Sequence, residues 1–293
     1  MSATDKPTVA CEITPERVIA ARAAASGNTV DTFSARTLAA GALAPSLGGA
    51  NVANAGAVRQ AITDALTAVG GRSREVIAVV PDAAVRIVML DFEELPERRQ
   101  EAASVIRFRL KKSLPFDADT AALSYDVRRD NGVVKVLAAV SPAAILEEYE
   151  TAFRNAGYNP GVVVPSMLAA LGPVDASQPT LVLKVDPTTT SVAIVQRDEL
   201  LLYRTLENPR GSSIEPSALA DDIYPSLVFL QDNHGVKVER ILLGGLASTD
   251  VLGPALESQT GARVADLVSP SQVGEHANLT PSMLAGVVGA LVV

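Results

Sequence analysis

Tryptophan is absent from this chain, and all aromatics together make up only 4% of it. The core must therefore be built mainly from Ala, Val, Leu and Ile, which suits packed α/β layers. A single cysteine, Cys11, excludes an internal disulfide and any thiolate-rich metal site. Set in an apolar run, Cys11 reads as a core residue. Only two histidines are present, His234 and His276. They are far apart, which argues against a histidine zinc site or a histidine-based triad and leaves carboxylate-only metal binding open. Basic residues are outnumbered, giving a net charge of −8 and a pI near 4.9. A field of that sign argues against nucleic acid as a partner. Long apolar runs are also lacking. The best candidate, residues 283–293, is too short to span a bilayer and reads as a buried terminal helix. Residues 1–8 are polar and lack the apolar core of a signal peptide, so a cytoplasmic protein is expected.

What is present is ample material for burial: 293 residues, 48% of them hydrophobic, enough for two lobes. Two short strands are expected around Thr14-Pro15-Glu16, then a loop over 39–55 rich in small residues. Val58, Ile62, Leu66 and Val69 recur at helical spacing before the stop Gly70-Gly71. A buried strand at 77–81 follows. Ile145, Tyr149, Ala152 and Phe153 share one face of a later helix, and 162–164 reads as another buried strand. The stretch GPVDASQP at 172–179 is the best lobe boundary. Beyond it come strands at 180–184, 192–196 and 200–204, a helix over 216–233, and a strand ending in Gly244-Gly245. A further helix, a short strand at Val264 and a last helix over 281–291 complete the chain. A strand meander followed by helices and a buried strand thus occurs twice, which points to two related α/β lobes.

The most distinctive local pattern lies at 79–127. Val85, Ile87 and Met89 alternate as in a half-buried strand. Leu95-Pro96-Glu97 then opens a helix, with Pro96 in the first turn and the acidic run Asp91, Glu93, Glu94 and Glu97 at its N-terminus. Ala102, Val105, Ile106 and Leu110 line its apolar side, and Leu114-Pro115-Phe116 ends it. Arg107, Arg109, Lys111 and Lys112 form a basic patch in its last turns. The simplest reading of that patch is a solvated face suited to the helix dipole. Attraction to anionic headgroups beneath a membrane is the functional alternative.

A strand pair, the turn Asp186-Pro187-Thr188-Thr189-Thr190-Ser191 and a later strand leading into Gly244-Gly245 resemble the actin-like ATPase superfamily. Within it, Val80-Pro81-Asp82, Glu97, Arg107-Phe108, Leu114-Pro115-Phe116 and Tyr125-Asp126 resemble the PilM family of type IV pilus assembly scaffolds. The FtsA and GspL families are similar at greater distance. The resemblance implies an α/β, actin-like ATPase (ribonuclease H-like) two-lobe fold with an inserted FtsA-like subdomain and a reduced adenine-side subdomain. It divides the chain into a first lobe (1–80 and 141–178), the inserted subdomain (81–140) and a second lobe (179–293). It further implies a partner, the N-terminal cytoplasmic peptide of a PilN-like inner-membrane protein, held in a groove lined by Val85, Ile87, Met89, Phe108, Leu114 and Phe116. Membrane contact would then be peripheral, through the partner. Self-association is implied as well, since actin-like proteins often form filaments.

The superfamily's ligand is Mg·ATP, and by resemblance its site would use Glu12, Thr14, Asp186, Thr188, Thr189, Thr190, Gly244 and Gly245. Here the loops depart from the pattern. Glu12-Ile13-Thr14-Pro15-Glu16 has no glycine and adds negative charge where phosphates would lie. Aligning on the threonines puts Lys184 where the family has Asp. The segment between Pro209 and Pro216 is too short for the usual helical subdomain over the adenine. The expectation is a pseudo-ATPase that binds ATP and Mg weakly or not at all. Each residue also has a plain structural reading: Glu12 as an exposed turn carboxylate, the threonines as strand residues, Gly244-Gly245 as a tight turn. Three functions are in play: a peptide-binding scaffold, an active actin-like ATPase driving assembly, and a small-molecule kinase of the same fold. Asp186 is the only evident base for the last.

Overall fold

The computed structural model describes residues 7–292 apart from 28, 72, 131, 198, 209–214, 247 and 274–278. His276 and most of the segment before Pro216 therefore lie outside the described residues.

Two sheets of the same topology organise the chain. The first is a meander, β1 (Val9–Ile13), β2 (Arg17–Ala23) and β3 (Val30–Thr37), continued in parallel by β4 (Glu75–Val80) and β8 (Asn159–Pro165). Its order is β3-β2-β1-β4-β8. The second repeats the plan with β9 (Thr180–Val185), β10 (Thr189–Gln196), β11 (Glu199–Glu207), β12 (Arg240–Gly245) and β13 (Arg263–Asp266), in the order β11-β10-β9-β12-β13. The sequence duplication is thus a duplication of sheet topology.

The first sheet carries α1 (Ala55–Val69) and α3 (Ala143–Asn155) on one face. Asn54 caps α1 by accepting from the Ala57 N–H at 3.0 Å, and Gly70 ends it with φ of 67°. Val58, Ile62, Leu66 and Val69 are buried under it, as are Ile145, Tyr149, Ala152 and Phe153 under α3. The second sheet carries α5 (Pro216–His234), ended by left-handed Gly235, and α6 (Thr249–Thr260). Between the two sheets lie α4 (Ser166–Ala170) and the last helix α7 (Ala285–Leu291), within one apolar core that draws on both lobes. Although the sequence assigns its residues to the second lobe, α7 packs on α4 and β1 of the first.

A third, small sheet, β5-β7-β6, is formed by β5 (Arg86–Phe92), β6 (Ala122–Asp130) and β7 (Val133–Ser141). It is covered by α2 (Arg99–Leu110) around a core of its own. Three local expectations change here. The helix starts at Arg99, so Pro96 and the acidic run precede it and only Glu101 is acidic in its first turn. Val105 is 37% exposed, leaving Ala102, Ile106 and Leu110 as the buried stripe. In the first sheet β8 is an edge strand rather than a buried one, and Val162 is 47% exposed.

Candidate functional site

By the resemblance, phosphates would lie near the ends of β1 and β9, where Glu12 and Lys184 meet across the two lobes. Glu12 ends its apolar strand fully buried, which corrects the expectation of an exposed turn carboxylate. Its charge is met by Lys184, a buried ammonium near the end of β9. Lys184 Nζ lies 3.2 Å from Glu12 Oε1 and donates to both carboxylate oxygens of Asp186 at 2.7 Å. Burial alone would lower the lysine pKa, but Asp186, Glu12 and Asp82 together raise it, so the group stays charged. Ser166 donates to Glu12 Oε1, while Glu12 Oε2 has no hydrogen-bond partner among the described residues.

Beside this trio sits buried Asp82, in a 3₁₀ turn after β4. It accepts from the Met167 N–H at 3.0 and 3.2 Å, the Ser191 hydroxyl at 2.8 Å and the Tyr203 hydroxyl at 3.4 Å. Burial pushes its carboxyl up to about 6 against the pull of Lys184, with Asp186 adding to the rise. A carboxyl raised on folding contributes stability that is complete below its unfolded value and is lost as pH rises through the folded one. The stability difference between wild type and Asp82→Asn is therefore expected to change by roughly 1.4 kcal/mol between about pH 5 and about pH 8, wild type gaining on the acid side. Urea unfolding at the two pH values measures it; equal differences at both would contradict the assigned titration.

The remaining nucleotide candidates are spent locally. Thr14 closes its own hairpin, donating to the Arg17 carbonyl and accepting from the Arg17 N–H. Thr189 and Thr190 are buried in β10, and Thr188 is exposed in the turn. Gly245 holds φ of 73° against β9, where a Cβ would lie 2.2 Å from the Val185 carbonyl oxygen. Gly244 faces Leu267 and Ala285. The space left among Glu12, Thr14, Lys184, Asp186 and Gly245 is about 20 Å³. That admits one water, whereas ligand pockets run to roughly 300–1,000 Å³. Among the described residues no three His, Cys, Asp or Glu side chains are arranged to hold a metal ion. The residues present do not fit Mg·ATP. Cys11 beside this cluster is buried, and burial together with the Glu12 charge pushes its thiol far up, leaving it inert.

The large concavity of the molecule lies elsewhere. A groove of about 960 Å³ runs between the small sheet and the second lobe. Ile87, Met89 and Leu137 of the small sheet, Leu171 and Val174 after α4, and Leu200, Tyr203 and Phe229 of the second lobe line it, together with charged residues that include Arg86, Asp91 and Arg128. Alternation along β5 sends Val88, Leu90 and Phe92 to the small core and leaves Ile87 and Met89 for the groove. Lys135 on β7 pairs with Glu199 on β11 across it. Both β5 and β11 are edge strands of their sheets. No sequence signal marks Leu137, Leu200 or Phe229 as members of one site.

Of the candidate partner residues, only Ile87 and Met89 reach this groove. Val85 packs on the first-lobe core, and Leu114 and Phe116 pack against the small core. Phe108 is 73% exposed on α2. The basic patch divides as well. Arg107, read as part of a solvated face, instead donates to the carbonyls of Ala118 and Ala121 and so ties down the loop after α2. Lys111 pairs with Asp119 at 2.6 Å, while Arg109 and Lys112 are exposed. No helix among the described residues is long and apolar enough to cross a membrane.

No family model and no curated protein matches the sequence. Solved structures do match. A chain of the PilM–PilN type IV pilus biogenesis complex has a TM-score of 0.81 at 18% identity, covering 97% of both chains. The cytoplasmic domain of EpsL, an inner-membrane component of the Vibrio cholerae type II secretion system, has 0.53 at 10% identity, covering 90% of this chain and 98% of that one. A Bacteroides thetaiotaomicron protein of unknown function with an actin-like ATPase fold has 0.52 at 10% identity, covering 90% and 93%. The chain has the actin-like ATPase fold.

Proposed function

We propose that this chain is a PilM-like scaffold of a type IV pilus, or related secretion, assembly platform. It works at the cytoplasmic face of the inner membrane and binds the N-terminal cytoplasmic peptide of a PilN-like membrane protein. The observation that carries this reading is the contrast between its two concavities. The phosphate position is filled by an ion-paired lysine, while an apolar groove large enough for an extended segment is open. Likeness in fold to a PilM–PilN complex chain supports the assignment. A strand-like peptide would lay alternate apolar side chains against Ile87, Met89 and Leu137, with its backbone beside an edge strand. Arg109 and Lys112 remain free to face anionic headgroups, and membrane contact comes chiefly through the partner. Nucleotide has no part in this function, which separates it from an actin-like ATPase motor.

Thermal shift tests the reading. A synthetic peptide of the PilN-like partner's N-terminal tail is expected to raise the melting temperature and to bind at micromolar Kd or tighter. Mg·ATP is expected to leave the melting temperature unchanged. A rise of several degrees with Mg·ATP and none with the peptide would reverse the assignment in favour of the ATPase.

A further inference from the structure

The poor fit to Mg·ATP leaves a question that the peptide groove does not answer: what joins the two lobes where a bound nucleotide would bridge them. The atoms at that position are polar, buried and charged, and they come from both lobes. Glu12 and Ser166 belong to the first, and Asp82 to the turn that leaves its strand β4; Lys184, Asp186, Ser191 and Tyr203 belong to the second. We propose that the Lys184 ammonium is a built-in cation that clasps the two lobes together and fixes their closure without any ligand.

The geometry has the features of a cation site whose cation is covalently attached. One centre, Nζ, is shared by a carboxylate from each lobe, at 3.2 Å on one side and 2.7 Å on the other. A second cross-lobe link runs alongside, from the Ser191 hydroxyl to Asp82 at 2.8 Å. The Ser166 hydroxyl donates to Oε1 of the first-lobe carboxylate, the same oxygen that Lys184 meets, and so helps fix that oxygen at the shared centre. A Cβ on Gly286 would lie 2.5 Å from Glu12 Oε2, so α7 lies directly against the carboxylate. A lysine on a surface would lose its partners to water and salt, whereas Lys184 is buried and cannot be replaced by solvent. Here the bridge is part of β9, so closure is permanent and the groove between lobe and small sheet keeps one shape.

The test compares three chains by thermal unfolding and by amide hydrogen exchange. Lys184→Met keeps side-chain length and removes the charge, leaving the buried Glu12 and the partly buried Asp186 without their shared counter-ion. It is expected to lower the melting temperature by roughly 10 °C and to speed exchange along β1, β9 and α4 more than along α1 or α2. Glu12→Gln/Lys184→Met/Asp186→Asn removes the stranded charges and is expected to recover most of the lost temperature. It should nonetheless retain fast exchange at the lobe junction, since an apolar and amide contact does not replace the shared cation. If Lys184→Met does not fold, the triple variant alone decides by its exchange pattern. Wild-type melting in Lys184→Met, or a triple variant whose junction exchanges as slowly as wild type, would overturn the clasp. Peptide binding at the groove is read separately, so loss of the clasp and loss of the scaffold assignment are distinguishable.

Discussion

Gly289→Ala is expected to cost more than about 4 kcal/mol and to leave little folded protein at ambient temperature. A Cβ at this position would lie 2.1 Å from the Ala169 carbonyl oxygen and 2.8 Å from both the Ala169 carbonyl carbon and the Ala170 Cα. Those are backbone atoms of α4, and no rotamer change can move them aside. The only relief is separation of α7 from α4, which would break the core shared by the two lobes around Val287 and Val288. A matched control is Gly56→Ala, in the first turn of α1, whose added Cβ would meet nothing nearer than Asn54 Oδ1 at 3.6 Å. That change is expected to be neutral or to stabilise by up to about 1 kcal/mol through helix propensity. Urea unfolding of the two variants measures the contrast. A Gly289→Ala chain as stable as wild type would mean that α4 and α7 do not cross as described.

The second large effect concerns the groove. Met89→Arg is expected to weaken binding of the partner's N-terminal peptide by at least about 100-fold while leaving the melting temperature within a few degrees of wild type. Met89 is 40% exposed, so its replacement strands no core cavity. It stands opposite Leu137 in the antiparallel register and shares the groove wall with it. A guanidinium there would replace an apolar contact surface beside Ile87 and Leu137 and would be partly desolvated whenever the peptide is seated. Phe108→Arg is the discriminating partner experiment. Phe108 belongs to the same distinctive segment and is more exposed still, but it lies on α2 outside the groove. It is expected to leave affinity unchanged. Calorimetric titration of both variants settles which surface of the small subdomain binds, and the opposite ranking would move the site to α2.

Much of the framework was legible in the sequence because it depends on local period and on stop signals. The stripes of α1 and α3, the glycine stop of α1 and the repeated strand meander all follow from neighbours a few residues apart. Glu12 was misread because its burial depends on a partner outside its neighbourhood. Beside Thr14-Pro15-Glu16 a carboxylate looks like part of a turn, and only the fold brings Lys184 to it. The lysine carried a related signal, a charge directly after the apolar run Leu181-Val182-Leu183 inside a strand, and such a charge requires a counter-ion when buried. Arg107 was misread for a similar reason. Its carbonyl partners at Ala118 and Ala121 belong to an irregular loop that has no periodicity to read. The strand at 162–164 is rich in valine like a buried strand, but its place at the sheet edge is a property of strand order, which composition does not encode. The groove is assembled from the small sheet, the segment after α4 and the second lobe, so most of its lining had no sequence signature.

The central claim is that this actin-like chain holds a peptide in the groove beside its small subdomain and has no working phosphate site. Amide hydrogen exchange, with the partner peptide and with Mg·ATP in separate samples, reads both concavities at once. The peptide is expected to slow exchange in β5, β7 and β11 and nowhere along residues 12–17 or 185–191. Mg·ATP is expected to change neither region. Slowed exchange at 12–17 and 185–191 with Mg·ATP, and none in β5 or β11 with the peptide, would contradict the account.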